Sequence, residues 1–231
     1  MITNFFDYFF DCLNNRTFKF LSANYADESP VFENLYLENN QSKLTIIYGD
    51  NASGKSLFGR IAESHARKSH IHVRSASMNN RVGNGDIEKS FQRAMIFGNQ
   101  SVQSTGATSL KVAIKCIKAT LSDDQDSITS LSILDEPDIG LSDRFSTTLG
   151  LYISQQLKLF NQSGIILICH NKQLIERLLN DYQLPVNFVG INTHLNYFDW
   201  YNSLQEATIE ELLQLDNIGF KKESAIDRTQ K

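Results

Sequence analysis

The stretch GDNASGKS, Gly49 to Ser56, spaces two glycines, a lysine and a hydroxyl as G-x-x-x-x-G-K-S. Glycines at those two places let successive backbone N–H groups turn inward around an anion. A lysine beside them reaches outer phosphate oxygens, and the following hydroxyl can meet Mg²⁺. Gly49, Asn51, Ala52, Ser53, Gly54, Lys55, Ser56 and Leu57 are therefore the candidate nucleotide-binding residues. A second group is SILDEPDIGLSD, in which Asp135 ends an apolar run and Glu136 follows it. A carboxylate at a strand end beside a phosphate loop suits Mg²⁺, so Asp135 and Ser56 are the candidate metal ligands. Glu136, turned the other way as strand neighbours are, suits a general base that polarises an attacking water. The third is GIILICHN, where His170 ends another apolar run within reach of an outer phosphate or of that water.

These residues need elements to hold them. KLTIIYG reads as a strand that enters the glycine loop, and KSLFGRIAESHARK as the helix that leaves it. IHVRSAS, SLSILDE, GIILICH and VNFVGIN read as further strands. The helices are a segment from near Asp86, one starting at Gly106, SDRFSTTLGLYISQQLKLF, NKQLIERLLNDY and a short TIEELLQL. Short apolar strands alternating with helices predict a mainly parallel sheet covered on both faces. TFKFLSA and VFENLYLEN, with no helix between them, predict a β-rich element on the N-terminal side. Residues 1–220 are read as a single domain and 221–231 as a polar tail.

Composition sets outer limits. The 231 residues are 41% hydrophobic and 21% charged with net charge −4, ordinary for a folded domain and without a global nucleic-acid footprint. Cys12, Cys116 and Cys169 are odd in number, far apart and set in apolar stretches. They are read as reduced core thiols, which suits a cytoplasmic protein. MITNFFDYFFDCL carries Asp7 and Asp11 and no preceding basic segment. It reads as neither signal peptide nor membrane span, but as an amphipathic helix that docks through Phe5, Phe6, Phe9, Phe10 and Leu13, on the body or on a partner.

The order of phosphate loop, small-residue helix start, LDEP with GLS, and strand-end histidine resembles the ATP-binding-cassette (ABC) ATPases. IIYGDNASGKS and LDEPDIGLSD look more like the SMC/Rad50/RecF-type heads than like transporter subunits, and the resemblance runs from about Lys43 to about Leu179. It implies a P-loop NTPase α/β head with an N-terminal antiparallel β element and ATP and Mg²⁺ as cofactors. It also implies a homodimer that sandwiches two ATPs head to tail. STGAT then stands where the family has LSGGQ: Ser104, Thr105 and Gly106 would contact ATP held by the opposite subunit, and DIGLS would cross the interface. Helix capping by Thr105 or Ser104 explains the same hydroxyls without a dimer. Small RecF-like ATPases further suggest DNA repair or anti-phage defence, with a separate effector protein carrying the other chemistry.

The chain also departs from that pattern. Lys55 to Gly106 is too short for a long coiled coil or a full helical subdomain, and Gln92, Gln100 and Gln103 follow no convincing strand. Ala107 replaces the second signature glycine and Ser142 the aspartate of the interface loop, which bears on hydrolysis more than on binding. The same interval holds Arg67, Lys68, Arg74 and Arg81 with no acid between Glu63 and Asp86. This is either a phosphate-binding patch for nucleic acid or an acidic partner, or a solvated helix end followed by a half-wet strand. The late aromatics NYFDWYN read as core or interface in preference to a base platform. Two rivals stand beside the soluble ATPase: a membrane-transporter subunit, and a nucleotide-gated scaffold that hydrolyses negligibly. Membrane association is not expected.

Overall fold

The runs LTIIY, SLSILD, GIILI and NFVGI are too short for helices and too apolar for a wet sheet face, so they can satisfy their backbone only as central strands. They form β2 (Leu44–Tyr48), β4 (Ser130–Asp135), β5 (Gly164–Ile168) and β6 (Asn187–Ile191), and apart from Asp135 every one of their residues is buried. The computed structural model describes residues 2–14, 32, 34–77, 105–203, 207–210 and 213. TFKFLSA, the helix expected near Asp86, the three glutamines and the tail fall outside these residues, and TIEELLQL falls largely outside them.

With β1 (Leu35–Glu38) and β3 (His72–Ala76) the strands make one sheet in the order β1-β6-β2-β5-β4-β3. All neighbours are parallel except β1, which runs antiparallel to β6 at the edge. This is the α/β class expected from the sequence. The antiparallel part among the described residues is the one edge strand.

Among the described residues six helices cover the sheet: α1 (Ile2–Asn14), α2 (Lys55–Lys68), α3 (Thr105–Gln125), α4 (Asp143–Leu159), α5 (Lys172–Tyr182) and α6 (Tyr197–Ser203). The period-2 alternation of the strands sorts the two faces. Ile47, Ile133, Ile166 and Ile168 face α1 and α2, while Leu44, Ile46, Leu134, Ile165 and Leu167 face the layer of α3, α4, α5 and α6. Helix α1 docks on the body. Ile2 joins the five residues expected from its pattern, and Phe9 meets Phe58 of α2 edge-on at 5.6 Å. Each such buried ring contributes roughly 1.5–3 kcal/mol. The three cysteines are buried thiols that form no disulfide. Among the described residues no helix is long and apolar enough to cross a membrane.

Candidate functional site

Register decides what meets at the edge of the sheet. Ile47, Ile168 and Asp135 lie level across β2, β5 and β4, and Tyr48 is level with Gly190 of β6. Parallel strands all leave the sheet on the same side. Gly49, Glu136, His170 and Asn192 therefore emerge side by side although up to 143 positions separate them in the chain. The strand carrying His170 lies between the glycine-loop strand and the Asp135 strand.

The loop itself is tightly built. Gly49 has φ +144°, and a Cβ there would stand 2.5 Å from the carbonyl oxygen of Ile191, so no side chain fits. Gly54 (φ +106°) caps α2, and Ala52 takes the left-handed region with φ 57°. The Ser53 amide donates to the Asp50 carbonyl at 3.2 Å and closes the turn. Among the described residues the buried Ser53 Oγ has no hydrogen-bond partner. Lys55, only 6% exposed, donates Nζ to the carbonyl oxygens of Gly49 (2.9 Å) and Asp50 (2.6 Å). A buried ammonium, an orphaned hydroxyl and the start of a 14-residue helix thus converge on one cradle, and that donor set fits a phosphate group. Ser56 is exposed at the first turn of α2, Asn51 is exposed and Leu57 half-buried.

Across β5, Asp135 is half-buried at the end of β4, and its Oδ1 is out of contact with solvent. Glu136 continues the ladder by donating its amide to the Ile168 carbonyl at 2.8 Å, yet it takes φ 49°. A left-handed glutamate directly after a strand is held there by its surroundings at a cost of about 1–3 kcal/mol. Its Oε1 lies 3.5 Å from His170 Nε2, with about a third of each side chain exposed. Partial burial and then the charge of Lys55 drive the His170 pKa from 6.5 down to about 4, against an upward pull from Asp138 and Asp50. The imidazole is therefore neutral at physiological pH and faces Glu136 as an uncharged partner. The two proposed catalytic residues sit together with the loop lysine close enough to be felt.

The small-residue helix start makes a close contact inside the chain. Thr105 begins α3 and is exposed, whereas Gly106 is buried. A Cβ on Gly106 would overlap the Gly140 carbonyl, and one on Gly140 (φ +75°) would stand 2.8 Å from the Gly106 amide nitrogen. The close approach that glycine permits here is to the loop after Glu136 within the same chain. The sequence reading assigned it to a phosphate. Ser104 lies outside the described residues.

Sequence reasoning missed three contributors. Asn192 Nδ2 donates to the Ser53 carbonyl at 3.0 Å, and Trp200 Nε1 donates to Asp50 Oδ1 at 3.3 Å, both more than 130 positions from the loop. Asp138, two residues past Glu136, accepts from the buried thiol of Cys169 at 3.3 Å. Only Asp138 carried a signal, as the second acid of DEPD. The basic stretch is also more neutral than its sequence suggests. Arg67 pairs with Glu63 at 2.7 Å, and Arg74 meets Asp123 at 3.2 Å, a carboxylate supplied by the end of α3. Arg81 lies outside the described residues.

No family model matches the chain, and neither does any curated protein. Among solved structures the chain is similar to the ORC2 protein of Aeropyrum pernix in its ADP form, at 16% identity and a TM-score of 0.32. The match covers 65% of this chain and 42% of that one, so the chain spans less than half of that protein's length. A likeness at that level is too loose to assign a function.

Proposed function

We propose that this chain is an ATPase of the ABC type, nearer the SMC/RecF-like heads than transporter subunits, which uses ATP to control a partner protein. The observation that carries the reading is the convergence of the Gly49–Ser56 cradle, Glu136 and His170 at one sheet edge, with Glu136 and His170 at 3.5 Å. In this reading the amides of Gly49 to Leu57 and the Lys55 ammonium bind the triphosphate. Ser56 and Asp135 hold Mg²⁺, which when bound neutralises phosphate charge. Glu136 accepts the proton of the attacking water, and neutral His170 orients that water or the carboxylate that activates it. Thr105 and the start of α3 face a second copy. The work proposed from the resemblance is DNA repair or anti-phage defence, with a separate effector. We do not assign the basic stretch to nucleic acid, because Arg67 and Arg74 already face carboxylates.

Light scattering with and without MgATP, on wild type and Glu136→Gln, with phosphate release followed in the same samples, tests this. The expected result is an ATP-dependent dimer that Glu136→Gln traps without turnover. ATP-dependent wild-type dimers with no phosphate release, even beside the partner, would instead make the protein a nucleotide-gated scaffold. Proteins that bind ATP and stay monomeric would remove the head-to-tail sandwich.

A further inference from the structure

Asp50 is an unusual occupant of an anion cradle. Its backbone carbonyl accepts from Lys55, but its side chain is a carboxylate, which repels the phosphates the surrounding amides attract. What the carboxylate does depends on where it is held. Oδ1 accepts from the indole Nε1–H of Trp200 at 3.3 Å. Trp200 is 8% exposed and packs on Tyr48, the residue that leads into the loop, with ring centroids 5.2 Å apart. The helix and the turn before it are each braced once more. Tyr48 Oη donates to the Leu195 carbonyl at 2.6 Å, and Nζ of Lys172, two residues beyond His170, lies 4.3 Å above the Tyr201 ring. Asn192, from the same stretch of chain, holds the Ser53 carbonyl. The donor that meets Asp50 is therefore a fixed one.

We infer that Trp200 is a positioning residue for the phosphate loop: its indole N–H tethers the Asp50 carboxylate to the α6 wall and keeps it out of the phosphate cradle. The inference rests on the loop's reading as a nucleotide site. It makes Asp50 a conditional residue, harmless while tethered and inhibitory when released. Phenylalanine at position 200 keeps an apolar ring against Tyr48 and removes only the donor. Alanine at position 50 removes the charge that the donor controls. The two substitutions are expected to act through each other.

The test is calorimetric titration of MgATP into wild type, Trp200→Phe, Asp50→Ala and the double variant, with Lys55→Ala as the loop control. Trp200→Phe is expected to weaken binding about fivefold, the scale of one ordinary hydrogen bond. In the Asp50→Ala background the same change is expected to have no effect. Equal losses in both backgrounds would mean that Trp200 only packs, and would overturn the inference. So would Trp200→Phe binding like wild type. Wild type that fails to bind MgATP would overturn the loop reading, and the inference with it. Trp200 is the chain's only tryptophan, so a second measurement needs no substitution at that position. MgATP is expected to shift tryptophan emission in wild type and to leave it unchanged in Asp50→Ala. An identical shift in both proteins would overturn the inference even if Trp200→Phe fails to fold.

Discussion

The two ends of the sheet solve opposite problems with the same kinds of residue. Where the strands enter, buried polar groups are satisfied. Asp124, 3% exposed, accepts from the amides of Asn161 (2.8 Å), Gln162 (2.9 Å) and Ser163 (2.7 Å) and so fixes the turn into β5. Asn187, fully buried, accepts from the amides of Asn40 and Ser42 and donates to the Ser42 carbonyl. Where the strands leave, Ser53 Oγ is an orphan, Lys55 rests on its own loop's carbonyls and Glu136 sits at φ 49°. Positive φ values also occur at the entry end, at Gln41, His70, Ser127 and Gln183. All four residues are exposed, and the last three follow helices, where left-handed stops are routine. The entry end holds the fold together. The exit end gathers an orphaned hydroxyl, a buried ammonium and a left-handed glutamate.

If that division is right, substitutions should separate activity from stability. The largest effect expected is on turnover: Glu136→Gln should lower phosphate release by about 10²–10⁴-fold while MgATP affinity and Tm stay near wild type. A steady-state assay beside a thermal melt checks both. The converse follows at the other end. Asp124→Ala takes the acceptor from three amides, that of Ser163 buried, and should cost about 3 kcal/mol, roughly 10 °C in Tm, with turnover per folded molecule unchanged at low temperature. A fall in turnover matching that of Glu136→Gln would erase the distinction between the ends.

Acidity sharpens the contrast further. Burial alone would raise the Asp124 pKa, but the three backbone amides and the Ser163 hydroxyl outweigh it and lower it. Its contribution is therefore present above the ordinary carboxylate value of 3.8 and is lost as pH falls through the lowered folded value. His170 is neutral when folded and titrates at about 4 instead of 6.5, so its penalty begins earlier, as pH drops from 6.5 towards 4. Its partial exposure keeps that penalty small. Melts across this window should fall less steeply for His170→Asn than for wild type, and Asp124→Ala should flatten the curve only below about 4. The smallest effect expected is on the titration itself. Lys55→Met removes one cause of the lowered His170 value and should raise it above about 4 without restoring 6.5, because burial remains the larger cause. NMR of the imidazole would read it directly.

Much of the exit end was legible in the chain. The glycine loop, Asp135 and Glu136, and His170 each ended or followed an apolar run, and a parallel sheet brings such ends together by construction. The helix KSLFGRIAESHARK coincides with α2. The loop's back wall was not legible, because Asn192 and Trp200 reach it from more than 130 positions away by contacts that no local pattern encodes. Nor was the neighbour of Gly106 within the chain legible. A glycine declares that two groups come close, but not which two, and here the second is Gly140. Asp123 shows the same limit, since a stretch free of acids in sequence met one in space.

The Gly106–Gly140 contact has a mechanical meaning. With no β-carbon on either side there is no compliant layer between the two backbones, only main chain against main chain. One belongs to the first turn of α3, beside the exposed Thr105, and the other lies four residues past Glu136. The surface at Thr105 and the segment that carries the carboxylate therefore share one rigid contact. Bulk added at either glycine would have to force the two backbones apart, and with them the segment that follows Glu136.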